Sequence, residues 1–320
     1  MNARDQMLDR RHSQLCNDLG DEILDLLRKP DITDVHVLED GTLWFHERGK
    51  WSQLPFVNFE PDHREAIIGE VADSLRQAAT FDHPNVEGEV TVEGRRLRFT
   101  GIIPPVVAAP TIAIRKPAQI IYKLDAYEQD GIVTSRQSKR LRDAVIAREN
   151  ILVAGAMGCG KSTMLNALLA EIPASERVGI VEDVFELSAP HLSNKNHLHT
   201  SSEVSLRQLT RWALRLQLDR IIVGETRGAE ALDMLKAWRV GCNGSMATIH
   251  ANSAHAALTR LDSLVQEAGV PSQKQLIAEA VQLIVFMEAE HLAEGGLQRR
   301  VTEIQRVHGL RGDEFYMTAA

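Results

Sequence analysis

The segment LVAGAMGCGKSTML, residues 152–165, constrains the fold more than any other part of the chain. Residues 155–162 fit the pattern G-x-x-x-x-G-K-[S/T] at every defined position, between two apolar stretches. Small residues let such a loop curl so that its backbone N–H groups face phosphate oxygens, and the following helix adds positive partial charge. The segment therefore predicts a strand, a phosphate-binding loop and a helix.

Two side chains of this loop have distinct predicted tasks. Lys161 is expected to reach the β- and γ-phosphates of a nucleoside triphosphate, and the Ser162 hydroxyl is expected to ligate Mg²⁺. The predicted ligands are thus a nucleoside triphosphate and Mg²⁺. The residues predicted to bind the nucleotide here are Gly155, Ala156, Met157, Gly158, Cys159, Gly160, Lys161, Ser162 and Thr163.

Charge and cysteine content exclude several classes of protein. The net charge of −8 argues against a large basic nucleic-acid surface. No run approaches the roughly 20 apolar residues of a membrane span, and no apolar segment follows the first charged residues, so we expect no signal peptide. The three scattered cysteines fit neither a disulfide framework nor a paired-cysteine zinc module. A reducing cytoplasm is the predicted location.

Two patterns of secondary structure divide the 320 residues, a length that suits two domains. The first part combines helical periodicity with hairpins that turn at Asp40-Gly41 and Glu93-Gly94, which is typical of an α+β unit. After a stretch with no regular hydrophobic pattern, apolar strands alternate with helices, which indicates a largely parallel sheet covered on both faces.

These patterns predict an N-terminal α+β domain at 1–117, a linker at 118–131 and an α/β nucleotide-binding domain at 132–320. The last twenty or so residues, RRVTEIQRVHGLRGDEFYMT, predict a small β appendage on the second domain.

Polar side chains follow three of the predicted strands, at the edge where parallel strands meet a ligand crevice. Glu182 ends one strand, Glu225 the next, and His250 a third. Hydrolysis needs a carboxylate near Mg²⁺, a group that orients water, and cations for the developing charge. Each residue also has a simpler interpretation: a helix N-cap, a solvated glutamate or a structural histidine.

These four elements together resemble the secretion ATPase superfamily, the hexameric motors of type IV secretion, type II secretion and type IV pili. The phosphate loop matches the family's Walker A motif. IVEDVFEL matches its Asp box, DRIIVGETRG its Walker B motif, and GSMATIHAN its His box. The resemblance implies a PAS-like N-terminal α+β domain and a RecA-like P-loop NTPase domain.

Within the superfamily the chain most resembles the conjugative-transfer ATPase of the type IV secretion branch, because it is short and lacks a four-cysteine zinc module. RLRFTGIIPPVVAAPTIAIRKP resembles the branch's Arg-x5-Pro-Pro…Ile-Arg-Lys signature. In that branch two arginines approach the nucleotide phosphates from the N-terminal domain. They correspond to Arg98 and Arg115, with Arg96 as the alternative for the first. The chain departs from the pattern at Cys242, where the family usually has histidine.

The resemblance implies ATP hydrolysis by in-line attack of water on the γ-phosphate. Ser162 and Glu225 organise Mg²⁺, and His250 senses the γ-phosphate. Glu182 is predicted to orient or deprotonate the water, with Glu225 as the alternative. Arg98 and Arg115 close the N-terminal domain on the nucleotide.

The same resemblance implies a homohexamer at the cytoplasmic face of the inner membrane, with peripheral membrane contact and inner-membrane components of a secretion machine as partners. We expect no stable binding of nucleic acid. Three alternatives remain at this point: a motor of type IV pili or type II secretion, a nucleic-acid-stimulated motor, and a non-catalytic nucleotide-dependent scaffold.

Overall fold

The structure is a computed structural model that describes residues 3–47, 50–116, 122–201, 203–291 and 297–320. The described residues fall into two compact units, one ending at residue 116 and the other beginning at residue 122. Among them, no helix has both the length and the apolar character that a membrane crossing needs.

The described part of the first unit is a six-stranded antiparallel sheet with two helices, in the strand order β3-β2-β1-β6-β5-β4. Both predicted hairpins are confirmed, β1–β2 and β4–β5. The elements are α1 (Ala3–Arg28), β1 (Ile32–Val37), β2 (Thr42–Glu47), β3 (Lys50–Asn58), α2 (Pro61–Leu75), β4 (Asn85–Val92), β5 (Arg95–Ile102) and β6 (Thr111–Arg115).

Alternation along β5 shows how the sheet separates its two faces. Leu97 and Phe99 are buried in the core of the unit, together with Ile67 and Ile68 of α2. Because successive side chains on a strand point to opposite faces, Arg96 and Arg98 leave the sheet on the other side.

The described part of the second unit is an eight-stranded sheet in the order β14-β13-β12-β7-β11-β10-β8-β9. The six strands from β12 to β9 are parallel, as predicted, and β13 and β14 are antiparallel. The elements are α3 (Leu124–Gln129), α4 (Ser135–Ile146), β7 (Ile151–Gly155), α5 (Lys161–Leu169), β8 (Val178–Glu182), β9 (Lys195–His199), α6 (Leu206–Ala213), β10 (Arg220–Thr226), α7 (Glu230–Arg239), β11 (Met246–His250), α8 (Ala254–Gln266), α9 (Lys274–Ala280), β12 (Leu283–His291), β13 (Leu297–Arg311) and β14 (Glu314–Ala319).

Helices cover both faces of this sheet. On one face β7 contributes Val153 to a core shared with α3, α4 and α5, and on the other Ala154 packs with residues of α6 to α9. Every residue of β7 and β8 is buried. Burial on both faces explains why these strands read as continuous apolar runs.

Two predicted features need correction. The stretch predicted as a linker, 118–131, contains the helix α3, in which Leu124 and Tyr127 are buried. Residues 118–121 of that stretch lie outside the described part. A six-residue helix is too short for its periodicity to show in the sequence. The predicted appendage is instead β13 and β14, which continue the main sheet because β12 joins them to β7.

Candidate functional site

The phosphate loop joins β7 to α5, as predicted. Gly158 and Gly160 have φ values of 75° and 96°, in the left-handed region that favours glycine. A side chain on Gly155 would come within 2.4 Å of the Met287 carbonyl oxygen and 2.6 Å of the Cys159 sulfur. Glycine is therefore required by backbone geometry at two positions and by close packing at a third.

Lys161 lies inside this loop rather than in solvent, with only 7% of its surface exposed. Its Nζ donates to the Ala156 carbonyl oxygen at 2.8 Å and lies 3.1 Å from Nδ1 of His250. Burial lowers the pKa of Lys161. The ammonium group is thus held at the centre of the loop, where a phosphate would bind.

His250 connects this lysine to Glu225. Its Nε2 lies 2.6 Å from Oε1 of Glu225, while Nδ1 faces Lys161. Burial and the neighbouring Lys161 lower the pKa of His250. A neutral ring protonated on Nε2 fits both contacts, since Nδ1 then accepts from the ammonium group. The structure therefore brings together three of the predicted catalytic residues.

Arg227 extends this network toward the neighbouring strand. Its guanidinium group pairs closely with Glu225, and its second terminal nitrogen lies 3.6 Å from Asp183. Burial raises the pKa of Asp183, and Arg227 acts against that rise. The C-terminal ends of β8 and β10 are thus linked by charge.

Glu182 lies in a different environment. It is 2% exposed, and its Oε1 accepts hydrogen bonds from the backbone N–H groups of Glu186 and Leu187 at 3.2 and 3.1 Å. Its Oε2 lies 2.6 Å from Nε2 of His197. Burial raises the pKa of Glu182, and the hydrogen bond to His197 opposes that rise.

The side chain of Glu182 rests on the residue that precedes Glu225. A Cβ atom on Gly224 would lie 2.7 Å from Cγ and 2.8 Å from Oε1 of Glu182. The two predicted carboxylates therefore lie on adjacent strands, and the Glu182 side chain packs against the backbone of β10 at Gly224.

The donors for a divalent cation are hard oxygens. Ser162, the second residue of α5, makes no hydrogen bond through its hydroxyl to any described residue, and Glu225 offers a carboxylate. Among the described residues no cluster of three histidine, cysteine, aspartate or glutamate side chains suits a metal ion. One hydroxyl and one carboxylate fit Mg²⁺, which keeps several water ligands and binds phosphate oxygens.

Arg98 and Arg115 lie in the first unit. They are directly opposed on β5 and β6, and the guanidinium of Arg115, 63% exposed, lies 2.6 Å from Asp34. Arg96, the alternative, lies 3.4 Å from Glu89. Like charges directly opposite one another destabilise a sheet, so the stability of the fold does not explain why Arg98 lies opposite Arg115.

Sequence reasoning missed two residues of the site. His197, which holds Glu182, lies on β9, a strand that the sequence analysis did not assign. The NHLHT pattern, with histidines two residues apart, was the available signal. Arg299 of β13 donates from Nε to the Gly158 carbonyl oxygen at 3.3 Å, and no local pattern indicates that contact across 141 positions.

Cys242, at the position where histidine was expected, faces the backbone rather than the phosphate loop. Its sulfur lies 3.6 Å from the Leu218 carbonyl oxygen, and burial raises the pKa of the thiol. A neutral thiol cannot supply a positive charge to a nucleotide.

Residues 85–299 match the family described as type II/IV secretion system protein. The chain is 36% identical to the conjugal transfer protein TrbB of Rhizobium radiobacter over 94% of its own length and 92% of that protein. It is 31% identical to the type IV secretion system protein PtlH homolog of Bordetella bronchiseptica, over 89% of this chain and 93% of the relative.

A solved structure of the pilus retraction motor PilT with bound ADP has the same fold. It superposes with a TM-score of 0.67 at 22% identity, covering 87% of this chain and 80% of that one.

Proposed function

The chain belongs to the type II/IV secretion system protein family and is a P-loop ATPase, and on that premise we propose that it is the hexameric motor of a conjugative type IV secretion machine. The proposal rests on one observation above all, the contact chain from Lys161 through His250 to Glu225 at the phosphate loop. The extensive similarity to conjugal transfer proteins supports the biological setting.

Binding of the triphosphate rearranges that contact chain. Phosphate oxygens replace the Ala156 carbonyl oxygen as partners of the Lys161 ammonium group, because a charged acceptor binds it more strongly. His250 then loses the partner of its Nδ1 atom, and the change reaches Glu225 through Nε2. In this way binding of a γ-phosphate changes the contacts of Glu225 near the end of β10.

Ser162 and Glu225 are the residues that would hold Mg²⁺. When bound, the ion supplies charge neutralisation at the phosphate oxygens. The protein's own contribution is a hydroxyl in the first turn of α5, directly after the loop, and a carboxylate that contacts His250.

Glu182 is the proposed base for the attacking water. A carboxylate of raised pKa is a better proton acceptor than an ordinary glutamate, and the water-poor surroundings that raise it are supplied by the fold. In this arrangement both oxygens are occupied, so one must turn toward the water when the nucleotide is bound. Glu225, the alternative, is instead paired with the guanidinium group of Arg227 and contacts the His250 ring.

Arg98 and Arg115 are proposed to stabilise the charge that develops on the γ-phosphate. Arg98 and Arg115 are directly opposed on neighbouring strands, and Arg115 would exchange its contact with Asp34 for the phosphate. Arginines placed by a second domain have large effects on phosphoryl transfer. Closure of the first unit on the nucleotide and its release after hydrolysis would couple chemistry to movement.

The motor is proposed to be a homohexameric ring at the cytoplasmic face of the inner membrane. There it would contact inner-membrane components of the secretion machine, with peripheral contact to the membrane itself. Stable nucleic-acid binding is not part of the proposal, because the net charge is −8.

One pair of measurements tests this function. Light scattering with and without ATP should give the mass of a hexamer, and Lys161→Ala should lower the ATPase rate about 100-fold or more, since one preorganised cation is worth at least that factor. Lys139→Ala, a change at an exposed lysine of α4, is the matched control and should retain the rate. A strictly monomeric protein, or an unchanged rate for Lys161→Ala, would contradict the proposal.

The same assay separates the arginines. The double change Arg98→Gln with Arg115→Gln should lower turnover more than Arg96→Gln alone, because only the opposed pair is assigned to the phosphates. Equal effects of the two variants would remove the assignment. Stimulation of turnover by single-stranded DNA would favour the nucleic-acid motor instead.

A further inference from the structure

Arg299 reaches the phosphate loop from β13, a strand to which the proposed mechanism gives no part. Its Nε donates to the Gly158 carbonyl oxygen at 3.3 Å, and a Cβ atom on Gly160 would lie 3.1 Å from its Cδ. The two glycines are those with left-handed backbone conformations. The arginine therefore borders the part of the loop that curls around phosphate.

The strand order places Arg299 on one side of the loop and the proposed catalytic residues His250 and Glu225 on the other. β13 and β12 flank β7 on one side, whereas β11 and β10, which carry His250 and Glu225, lie on the opposite side. Alternation along β13 puts Arg299 on the same face as Val301, which packs in the core with Cys159 and α5. Its neighbour Arg300 lines a cavity of about 470 Å³ with Ala251 and Asn252.

The guanidinium group has donors to spare. It is exposed, forms no ion pair with any carboxylate in the described ranges, and makes one described hydrogen bond out of the five that its N–H groups allow. Burial raises the pKa of the Cys159 thiol, and the positive charges of Lys161 and Arg299 oppose that rise. The charge of Arg299 therefore acts inside the loop.

We propose that Arg299 binds the diphosphate part of the nucleotide, the part that ATP and ADP share. His250 and Glu225 mark the γ-phosphate side of the loop, so a cation on the opposite side faces the other end of the phosphate chain. Arginine recognises phosphate oxygens through paired N–H groups, which suits this position. Arg299 thereby sets affinity for both nucleotides and slows the release of ADP, whereas the catalytic group sets the rate of hydrolysis. The inference rests on the nucleotide-binding part of the proposed function.

The test is nucleotide affinity in the full-length protein. Arg299→Gln should weaken binding of a fluorescent ADP analogue and of the non-hydrolysable β,γ-imido ATP analogue by about the same factor, tenfold or more, as expected for a lost charge-assisted hydrogen bond. The turnover number at saturating ATP should stay within about threefold of wild type, so KM rises and kcat does not fall with it.

Three variants sharpen the result. Arg299→Met keeps the apolar stem beside Gly160 and should lose as much affinity as Arg299→Gln, whereas Arg299→Lys keeps the charge but not the paired N–H groups and should lose less. Arg306→Gln removes an arginine of the same strand that pairs with Glu149, and should leave both affinities unchanged. Thermal unfolding of each variant without nucleotide verifies the fold.

Unchanged affinity for both nucleotides in Arg299→Gln would overturn the inference, and so would a loss confined to the ATP analogue, which would place Arg299 at the γ-phosphate. Wild-type protein that binds ADP but hydrolyses no ATP would refute the proposed function while leaving this test valid.

Discussion

The C-terminal ends of β8 and β10 are adjacent in the sheet, and each carries a glutamate, yet the surroundings of the two carboxylates differ. At the end of β8, Glu182 is almost fully buried, accepts hydrogen bonds from two backbone N–H groups and contacts the His197 ring. At the end of β10, Glu225 has 20% of its side chain exposed and lies between His250 and Arg227.

The difference separates two kinds of chemistry that need the same functional group. Loss of water at Glu182 favours the protonated form, so the carboxylate becomes a stronger proton acceptor. Contacts with His250 and Arg227 at Glu225 suit a carboxylate that faces a metal ion or a phosphate. Sequence position alone cannot make this distinction, because both residues simply follow an apolar strand.

The largest predicted effect is that of Glu182→Gln. The substitution keeps the shape and an acceptor oxygen for the N–H groups of Glu186 and Leu187, but removes the proton acceptor. The turnover number should fall about 100-fold to 10,000-fold, the usual contribution of a general base, while affinity for ATP with Mg²⁺ stays within a few-fold. Single-turnover hydrolysis and nucleotide titration measure the two quantities. A loss below about fivefold would reduce Glu182 to a structural role.

A smaller effect with a different character is predicted for Glu225→Gln. The neutral amide is a weaker ligand for Mg²⁺ and a weaker partner for His250 and Arg227, so turnover should fall about tenfold to 100-fold. The Mg²⁺ concentration at half-maximal rate should rise, which it should not do in Glu182→Gln. If both variants show the same Mg²⁺ dependence, the assigned division between the two carboxylates is wrong.

Several features of the second unit were predictable from sequence because their signals are local. The phosphate loop requires glycines and a lysine at fixed spacing, and buried parallel strands require continuous apolar runs, so Lys161, Glu182, Glu225 and His250 could be placed at one edge of a sheet. Their contact chain was not predictable in detail, since it depends on which strands are neighbours.

The features that sequence reasoning missed depend on distant or short elements. Arg299 meets Gly158 only because β12 joins β13 to β7, and strand order is not written in any one segment. α3 has six residues, too few for a helical period to be recognised. In the first unit, the motif located Arg98 and Arg115, but their direct opposition follows from the register of β5 and β6.

The smallest predicted effect tests the surroundings of Glu182 rather than the carboxylate itself. His197→Leu removes the hydrogen bond that opposes the rise of the Glu182 pKa, and the apolar leucine admits no water in its place. The pKa of Glu182 should therefore rise further. A base must be ionised to act, and the acid limb of the kcat–pH profile should therefore move to higher pH. The loss of rate should be about threefold to tenfold near pH 6, the value of one hydrogen bond, and should shrink as the pH rises to 8.

His199→Leu removes a ring that packs on the same Phe185 side chain and serves as the matched control, with an unshifted profile expected. A uniform loss of rate at every pH in His197→Leu would mean that the histidine only stabilises the fold, and a profile shifted to lower pH would mean that Glu182 is not the base.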